Sequence, residues 1–387
     1  MSGGGEDTRL PDLPRYARIN TIKVDFNGVK QELLKTGHTY EPPATGARNK
    51  QLRAVVSDGR SYRPDAHCPD LLVFKPKGRS DISRVTMVPR GELIVQQKAS
   101  CFPALATAPP PGAIVIDGCA APGNKTSHLA ALMHNQGKVL AYEMDKRRCD
   151  LLRSMMAQKG ATIVEATHGS FLDADPRDQS ALHSRATHIM LDPSCSSSGM
   201  STDPISDAAQ VAELAHNQEE LILHAMKFSK CQVVVYSTCS IYERENEEVV
   251  RNVLAKQTDF VLEPALPWWH RRGHTLPADK LADRDRAAEI ARCVVRCKYP
   301  EDATIGFFVS RFVRRGGALL TQCSAGSPAP RTAPCPFPAA AVDGPDAHTG
   351  PCCGSAGWSH SHPGRAANKV RRPRTRPKAP GATAEEA

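Results

Sequence analysis

Val233-Val234-Val235-Tyr236-Ser237-Thr238-Cys239-Ser240 is an apolar run that stops in a small polar cluster presenting one cysteine. The acidic, helix-forming stretch Ile241-Tyr242-Glu243-Arg244-Glu245-Asn246-Glu247-Glu248-Val249-Val250 follows it. Forty-four residues upstream of Cys239 the pattern recurs around Cys195, in Ile189-Met190-Leu191-Asp192-Pro193-Ser194-Cys195-Ser196. Two strands are thus predicted to end in a cysteine.

Outward from these runs, strand-like and helical segments alternate from Ala113 onward. Strands are expected at 113–117, 139–143, 162–164, 188–191 and 233–236, with a late strand at 306–313. Helices are expected from about Asn124 to Asn135, Asp145 to Lys159 (closed by Gly160) and over 208–229. Near-continuous apolar strands separated by helices predict a doubly wound α/β sheet covered on both faces. Such sheets bind ligands outside the carboxyl ends of their strands. Asp117, Glu143, Asp192 and Cys239 fall at those ends, with Cys195 three positions beyond Asp192.

Ahead of Pro109-Pro110-Pro111-Gly112, the chain reads as a separate small α+β unit. It has a strand at Arg18–Val24, a helix over Asp25–Lys35, short strands at Leu71–Phe74 and Leu93–Val95, and a helix over Gln96–Ala106. The expected organisation is a leader at 1–13, an N-terminal subdomain at 14–111, the main domain at 112–315 and a disordered basic tail at 316–387. The tail is rich in Pro, Ala, Gly and Ser and lacks the apolar content to offset its ordering entropy. Residues 311–387 hold eleven Lys and Arg against four Asp and Glu, so most of the net +9 sits there. The folded part is nearly neutral. Lys369 to Lys378 is basic enough to bind phosphates or to act as a nuclear address.

The 13 cysteines are odd in number and scattered, which argues against a disulfide framework and for an intracellular, reducing setting. No signal peptide or membrane-length apolar run is visible. The pairs Cys293/Cys297 and Cys352-Cys353 near His360 and His362 lack a second matching pair, so no metal is expected.

The loop Gly118-Cys119-Ala120-Ala121-Pro122-Gly123 is not a glycine-rich phosphate loop, and Glu143 ends the next strand, where an acidic side chain can bind ribose hydroxyls. An adenosine-containing ligand with no pyrophosphate requirement fits, such as S-adenosylmethionine; an ordinary surface turn and a solvated glutamate are the alternative. Cys239, just before a predicted helix N-terminus, is expected to have its thiol pKa lowered by the helix dipole. Cysteine suits attack on an electron-poor ring carbon because it is both a good nucleophile and a good leaving group. A buried core cysteine is the rival reading. The Asp192 carboxylate can hydrogen-bond an amino group or ring nitrogen of a base, although Asp-Pro-Ser is also a common turn.

Asp117-Gly118-Cys119-Ala120-Ala121-Pro122-Gly123-Asn124-Lys125-Thr126 resembles the cofactor motif of the Nop/Sun (RsmB-like) family of RNA cytosine-5 methyltransferases. Asp192-Pro193-Ser194-Cys195-Ser196-Ser197-Ser198-Gly199-Met200 and Tyr236-Ser237-Thr238-Cys239-Ser240 resemble its two cysteine motifs. Glu245 to Val250, Arg18-Ile19-Asn20-Thr21 and Gly306-Phe307-Phe308-Val309 resemble its flanking motifs. The likeness covers about residues 14–313, and Asn124 and Ser194 are most similar to the fifth subfamily, which acts on large-subunit ribosomal RNA.

The resemblance implies a Rossmann-like class I methyltransferase sheet with an RNA-contacting N-terminal subdomain, acting on C5 of an rRNA cytosine with S-adenosylmethionine. It implies that Cys239 attacks C6, that Asp192 holds the pyrimidine edge, and that Cys195 assists release. It also implies cofactor contacts from Cys119, Ala120, Ala121, Pro122, Gly123, Asn124, Lys125, Glu143, Arg148 and Asp192. An RNA or pre-ribosome partner, a monomer, no membrane, and a nuclear or nucleolar location follow from it. The target base must leave its stack.

The chain departs from the family at Ser170, where an acidic residue is usual, at Ser197, where glycine is usual, and at Gln97, where the family has an acid. The helical N-terminal region typical of the subfamily is not seen ahead of Arg18. These departures motivate an alternative, a catalytically weakened paralogue that binds RNA during ribosome assembly. Retained Cys239, Cys195, Asp192 and Lys125 argue against it. A dinucleotide-dependent oxidoreductase on a similar sheet lacks the glycine fingerprint and leaves the cysteines without a role. Trp268-Trp269-His270-Arg271-Arg272 is read either as an RNA grip or as a loop anchored by tryptophans.

Overall fold

The computed structural model describes residues 13–42, 60–74, 82, 85–200, 207–277 and 281–316. The expected leader, the basic tail with Lys369 to Lys378, and the Cys352-Cys353 pair lie outside the described residues. The N-terminal unit is a five-stranded sheet of β1 (Arg15–Ile19), β2 (Thr39–Tyr40), β3 (Ser61–Pro64), β4 (Leu71–Phe74) and β5 (Leu93–Val95), in the order β2-β3-β4-β1-β5. Helix α1 (Phe26–Lys35) starts at Asp25, whose carboxylate accepts the Gly28 N–H, and buries Val29 and Leu33 in this unit. The first strand lies three residues earlier than its alternation suggested. The Lys23 and Val24 N–H groups bond back to the Asn20 carbonyl and turn the chain there.

The main sheet is mixed. Five parallel strands, β6 (Ile114–Asp117), β7 (Lys138–Glu143), β8 (Val164–His168), β9 (His188–Leu191) and β10 (Val233–Thr238), run in the order β8-β7-β6-β9-β10. Strand β13 (Phe307–Arg314) continues the sheet antiparallel to β10. It in turn pairs with β11 (Phe260–Glu263) and β12 (Val295–Cys297). The third parallel strand was misplaced by the sequence pattern: it comprises Val164–His168, a largely polar edge strand, while Thr162 and Ile163 belong to the turn before it.

Alternate residues of each central strand go to different helices. Val233 and Val235 pack with Ala99, Cys101 and Phe102 of α2 (Lys98–Thr107). Val234 and Tyr236 pack with Ala215, Ile222 and Ala225 of α5 (Ala208–Met226). On the α2 side, α3 (Asn124–Leu132) and α4 (Lys146–Lys159) bury Leu129, Ala130, Leu152 and Met156 against Val115, Val139, Ala141 and Met190. Each of the larger side chains (Val, Leu, Ile, Met, Phe) contributes roughly 1.5–3 kcal/mol of burial, which explains apolar runs without alternation. Helices α6 (Glu247–Lys256) and α7 (Leu281–Cys293) complete the α5 face.

The 268–272 segment is an anchored loop. Trp269 is fully buried and its Nε1–H donates to the Arg296 carbonyl at 2.8 Å. Arg271 pairs with Asp302 at 2.6 Å, and Arg272 donates to the Ala265 and Leu266 carbonyls. Trp268 stays half exposed, stacked on His67, and His270 beside it is also exposed. No described helix is long and apolar enough to cross a membrane, and no group of three or more His, Cys, Asp or Glu among the described residues could hold a metal ion.

Candidate active site

The parallel register of β9 and β10 pairs Leu191 with Tyr236, so the residues that follow each strand leave the sheet side by side. This brings the Cys195 and Cys239 sulfurs to 3.3 Å. Asp192, at the end of β9, accepts the Ser237 hydroxyl on Oδ1 at 2.6 Å and pairs through Oδ2 with Lys125 Nζ at 2.7 Å. Two thiols, a carboxylate and an ammonium therefore converge from β9, β10 and the first turn of α3.

The loop carrying Cys195 is held from behind. Glu245, fully buried, accepts the Ser196 N–H and the Gln218 amide on Oε1, at 2.9 and 3.0 Å, and the Ser196 hydroxyl on Oε2 at 2.5 Å. Gly199 closes the other end. Its N–H donates to the Cys239 carbonyl at 2.8 Å, and a Cβ on it would stand 2.3 Å from the Gly306 oxygen. Only glycine permits this approach of three segments. Asn246 bonds the Thr238 hydroxyl and the Ser240 carbonyl, and Arg296 joins Glu247 to the Ile241 carbonyl.

The Cys239 thiol titrates below its ordinary range. The Cys195 S–H stabilises the thiolate, the Ser197 hydroxyl and the Lys125 charge add to this, and burial and Asp192 oppose it. The same contact, with burial, pushes the Cys195 thiol up. The two thiols are thus differentiated: Cys239 gives up its proton more readily than Cys195. The expected helix dipole is not the cause. The backbone after Cys239 enters a 3₁₀ turn at Glu243–Glu245, and α6 starts only at Glu247. Burial lowers the Lys125 pKa, but the Asp192 carboxylate outweighs it and holds the amine charged, above its usual value.

Of the residues predicted to contact a cofactor, Cys119 to Gly123 form the loop leaving β6, with Gly123 at φ 105°, a left-handed conformation that caps α3. Glu143 ends β7 with a nearly buried carboxylate that accepts the Asp145 N–H at 3.0 Å and lies 3.5 Å from Arg148. Arg148 also donates to the Ala121 carbonyl at 2.9 Å, tying the loop to α4. Met144 and Leu172 expose apolar side chains next to these elements. An acidic acceptor for vicinal hydroxyls, apolar flanks for a ring, and no cradle for a pyrophosphate make a donor set that fits an adenosine-type ligand. Asn124 points elsewhere: its Oδ1 accepts Lys159 Nζ at 2.7 Å, and its Nδ2 reaches the Val95 carbonyl at 3.4 Å. Ser170, in the place of an acid, caps a 3₁₀ turn by accepting the Leu172 N–H.

Glu245 and Ser237 were not singled out from sequence. Glu245 lay in a stretch read as helix-forming, and the pairing of Ser237 with Asp192 depends on the β9–β10 register.

The family model described as 16S rRNA methyltransferase RsmB/F matches residues 104–313, more than half the chain. The chain belongs to the Nop/Sun (RsmB/F) family. A second model of that family, the NOL1/NOP2/Sun domain family member 5 ferredoxin-like domain, matches residues 13–96. Among curated relatives, the mouse 28S rRNA (cytosine-C(5))-methyltransferase is 36% identical over 78% of this chain and 63% of its own. The Arabidopsis thaliana 25S rRNA (cytosine-C(5))-methyltransferase NSUN5 is 36% identical over 78% and 49%. The Caenorhabditis elegans 26S rRNA (cytosine-C(5))-methyltransferase nsun-5 is 33% identical over 81% and 70%. The chain thus spans about half to two thirds of the length of these Nop/Sun relatives. A methyltransferase homologue from Pyrococcus horikoshii superposes with a TM-score of 0.61 at 25% identity, covering 78% of this chain and 87% of that one. Pyrococcus horikoshii NSun6, crystallised with SFG, has the same fold at a TM-score of 0.55 and 20% identity over 80% and 92% of the two chains.

Proposed function

We propose that this protein methylates C5 of a cytosine in large-subunit ribosomal RNA, with S-adenosylmethionine as methyl donor. The observation that carries this reading is the 3.3 Å contact between two thiols beside the Lys125–Asp192 pair, with Cys239 the more readily deprotonated of the two. Asp192 and Lys125 orient the pyrimidine edge. The Cys239 sulfur attacks C6, and the electrons pushed to C5 make it nucleophilic. S-adenosylmethionine, held by residues 119–123, Glu143 and Arg148 when bound, supplies the methyl group that C5 accepts. A base then removes the C5 proton, the C5–C6 double bond re-forms, and Cys239 leaves as thiolate. Cys195, whose thiol keeps its proton, assists that departure by donating to the leaving sulfur.

The base must be out of its stack to reach Cys239, so the substrate is a single-stranded or opened RNA site. Large-subunit ribosomal RNA is supported by the named activities of the curated relatives. A nucleolar site of action, with the Lys369 to Lys378 run as address, follows from that substrate. Incubation with ribosomal RNA and labelled S-adenosylmethionine tests the proposal. The expected result is 5-methylcytosine in the digested RNA, abolished by Cys239→Ala. RNA binding with no methylcytosine on any large-subunit RNA would instead favour the assembly-factor reading.

A further inference from the structure

We propose that Ser197 is a thiolate-stabilising residue of this site, its hydroxyl serving as a second hydrogen-bond donor to the Cys239 sulfur beside Cys195. Ser197 occupies the left-handed region at φ 55°, where a residue with a Cβ is strained and glycine is favoured. What the side chain gains there is a contact: Ser197 Oγ lies 3.6 Å from Cys239 Sγ, within reach of a sulfur hydrogen bond. Among the described residues no other hydrogen bond engages that hydroxyl, whereas its neighbours Ser196 and Ser198 spend theirs on Glu245 and Ser240 in the buried network behind the loop. The Ser197 backbone is braced on both sides, by the Glu245 clamp on Ser196 and by the Gly199 N–H on the Cys239 carbonyl. The hydroxyl is thereby held over the attacking atom.

As the thiol, Cys239 donates its S–H to the Ser197 oxygen. Once the proton leaves, the hydroxyl turns its O–H to the sulfur. The groups facing Cys239 are then Cys195 and Ser197 from the loop after β9, Asp192 at the end of β9, and Lys125 from α3. Asp192 disfavours the thiolate and the other three favour it. Ser197 thus adds a donor that a glycine at this position would not supply. When Cys239 departs from C6, the same hydroxyl receives the emerging thiolate.

This inference rests on Cys239 being the attacking thiol, but its test needs neither RNA nor cofactor. The rate of Cys239 alkylation by iodoacetamide is followed against pH in the full-length protein by peptide-resolved mass spectrometry, for wild type, Ser197→Gly and Ser197→Ala. Both variants lack the hydroxyl, while glycine relieves the left-handed strain and alanine keeps it. The expected result is an upward displacement of the alkylation midpoint by about one pH unit in both, the size of a hydrogen bond to a charged sulfur. An unmoved midpoint in both variants would overturn the proposal, as would a displacement in only one of them, which reports loop backbone rather than hydroxyl. If Ser197→Ala does not fold, Ser197→Gly, freed of strain, decides alone. Loss of methylation in wild type with the midpoints displaced as expected would count against the proposed reaction and leave the hydroxyl contact standing.

Discussion

Replacement of Glu245 by alanine tests whether the wall behind the two thiols is a structural clamp. Glu245 is fully buried and accepts three hydrogen bonds, from the Ser196 N–H, the Ser196 hydroxyl and the Gln218 amide. Without the carboxylate the Ser196 hydroxyl can turn to Ser198 or Ser240, which lie at 3.0 and 3.1 Å. The Ser196 N–H loses its carboxylate acceptor, while the Gln218 amide keeps the Ser194 carbonyl on Nε2 and the Tyr236 hydroxyl on Oε1. A buried donor left unpaired costs about 1–3 kcal/mol, and loss of a hydrogen bond to a charged group a comparable amount. Relief of the buried charge returns part of this, so the expected loss is about 3 kcal/mol. Equilibrium urea unfolding reads it directly. Glu245→Gln keeps the shape and one acceptor oxygen and should lose about half as much. In both variants Cys239 alkylation should slow, because the loop holding Cys195 and Ser197 slackens. A loss below about 1 kcal/mol in Glu245→Ala, with alkylation unchanged, would refute the clamp.

Three further outcomes follow from the same geometry. Lys125→Met removes the cation from Asp192 and Cys239, so methyl transfer should fall about 100-fold and its pH profile should move to higher pH, read by labelled-methyl incorporation at several pH values. Arg296→Met strands the fully buried Glu247 carboxylate and should cost about 3–5 kcal/mol in thermal unfolding, whereas removing both charges together should cost far less. Burial pushes the Asp117 carboxyl up to about 7, against the Thr126 hydrogen bond and with help from Asp192. The folded state therefore keeps a proton that the unfolded chain releases at lower pH, and stability falls as pH rises from about 4 to about 7. Asp117→Asn should remove this decline, roughly 3–4 kcal/mol between pH 4 and pH 8, in urea titrations compared with wild type.

The strand ends were legible because a parallel sheet delivers every carboxyl end to one edge, so Asp117, Glu143, Asp192 and Cys239 announced themselves by position. The polar edge strand Val164–His168 was displaced in the sequence reading because only one apolar residue begins it and pairing with β7, not apolar patterning, defines it. The short strands Phe260–Glu263 and Val295–Cys297 went unseen for the same reason, since both take their place from β13. At the site, the environment of the Cys239 thiol was attributed to the element next in sequence, a helix, when the decisive groups come from the loop after β9 and from α3. Contacts such as Ser196 with Glu245, or Ser197 with Cys239, join residues more than forty positions apart and leave no local pattern.

The central claim is the division of labour between the thiols, and trapping the RNA adduct tests it most directly. Wild type, Cys195→Ala and Cys239→Ala are incubated with large-subunit ribosomal RNA and S-adenosylmethionine, then resolved under denaturing conditions. The expected result is a stable protein–RNA adduct for Cys195→Ala, little for wild type, and neither adduct nor methylcytosine for Cys239→Ala. Normal methylation by Cys239→Ala, or an adduct that persists in it, would show that Cys239 is not the attacking thiol.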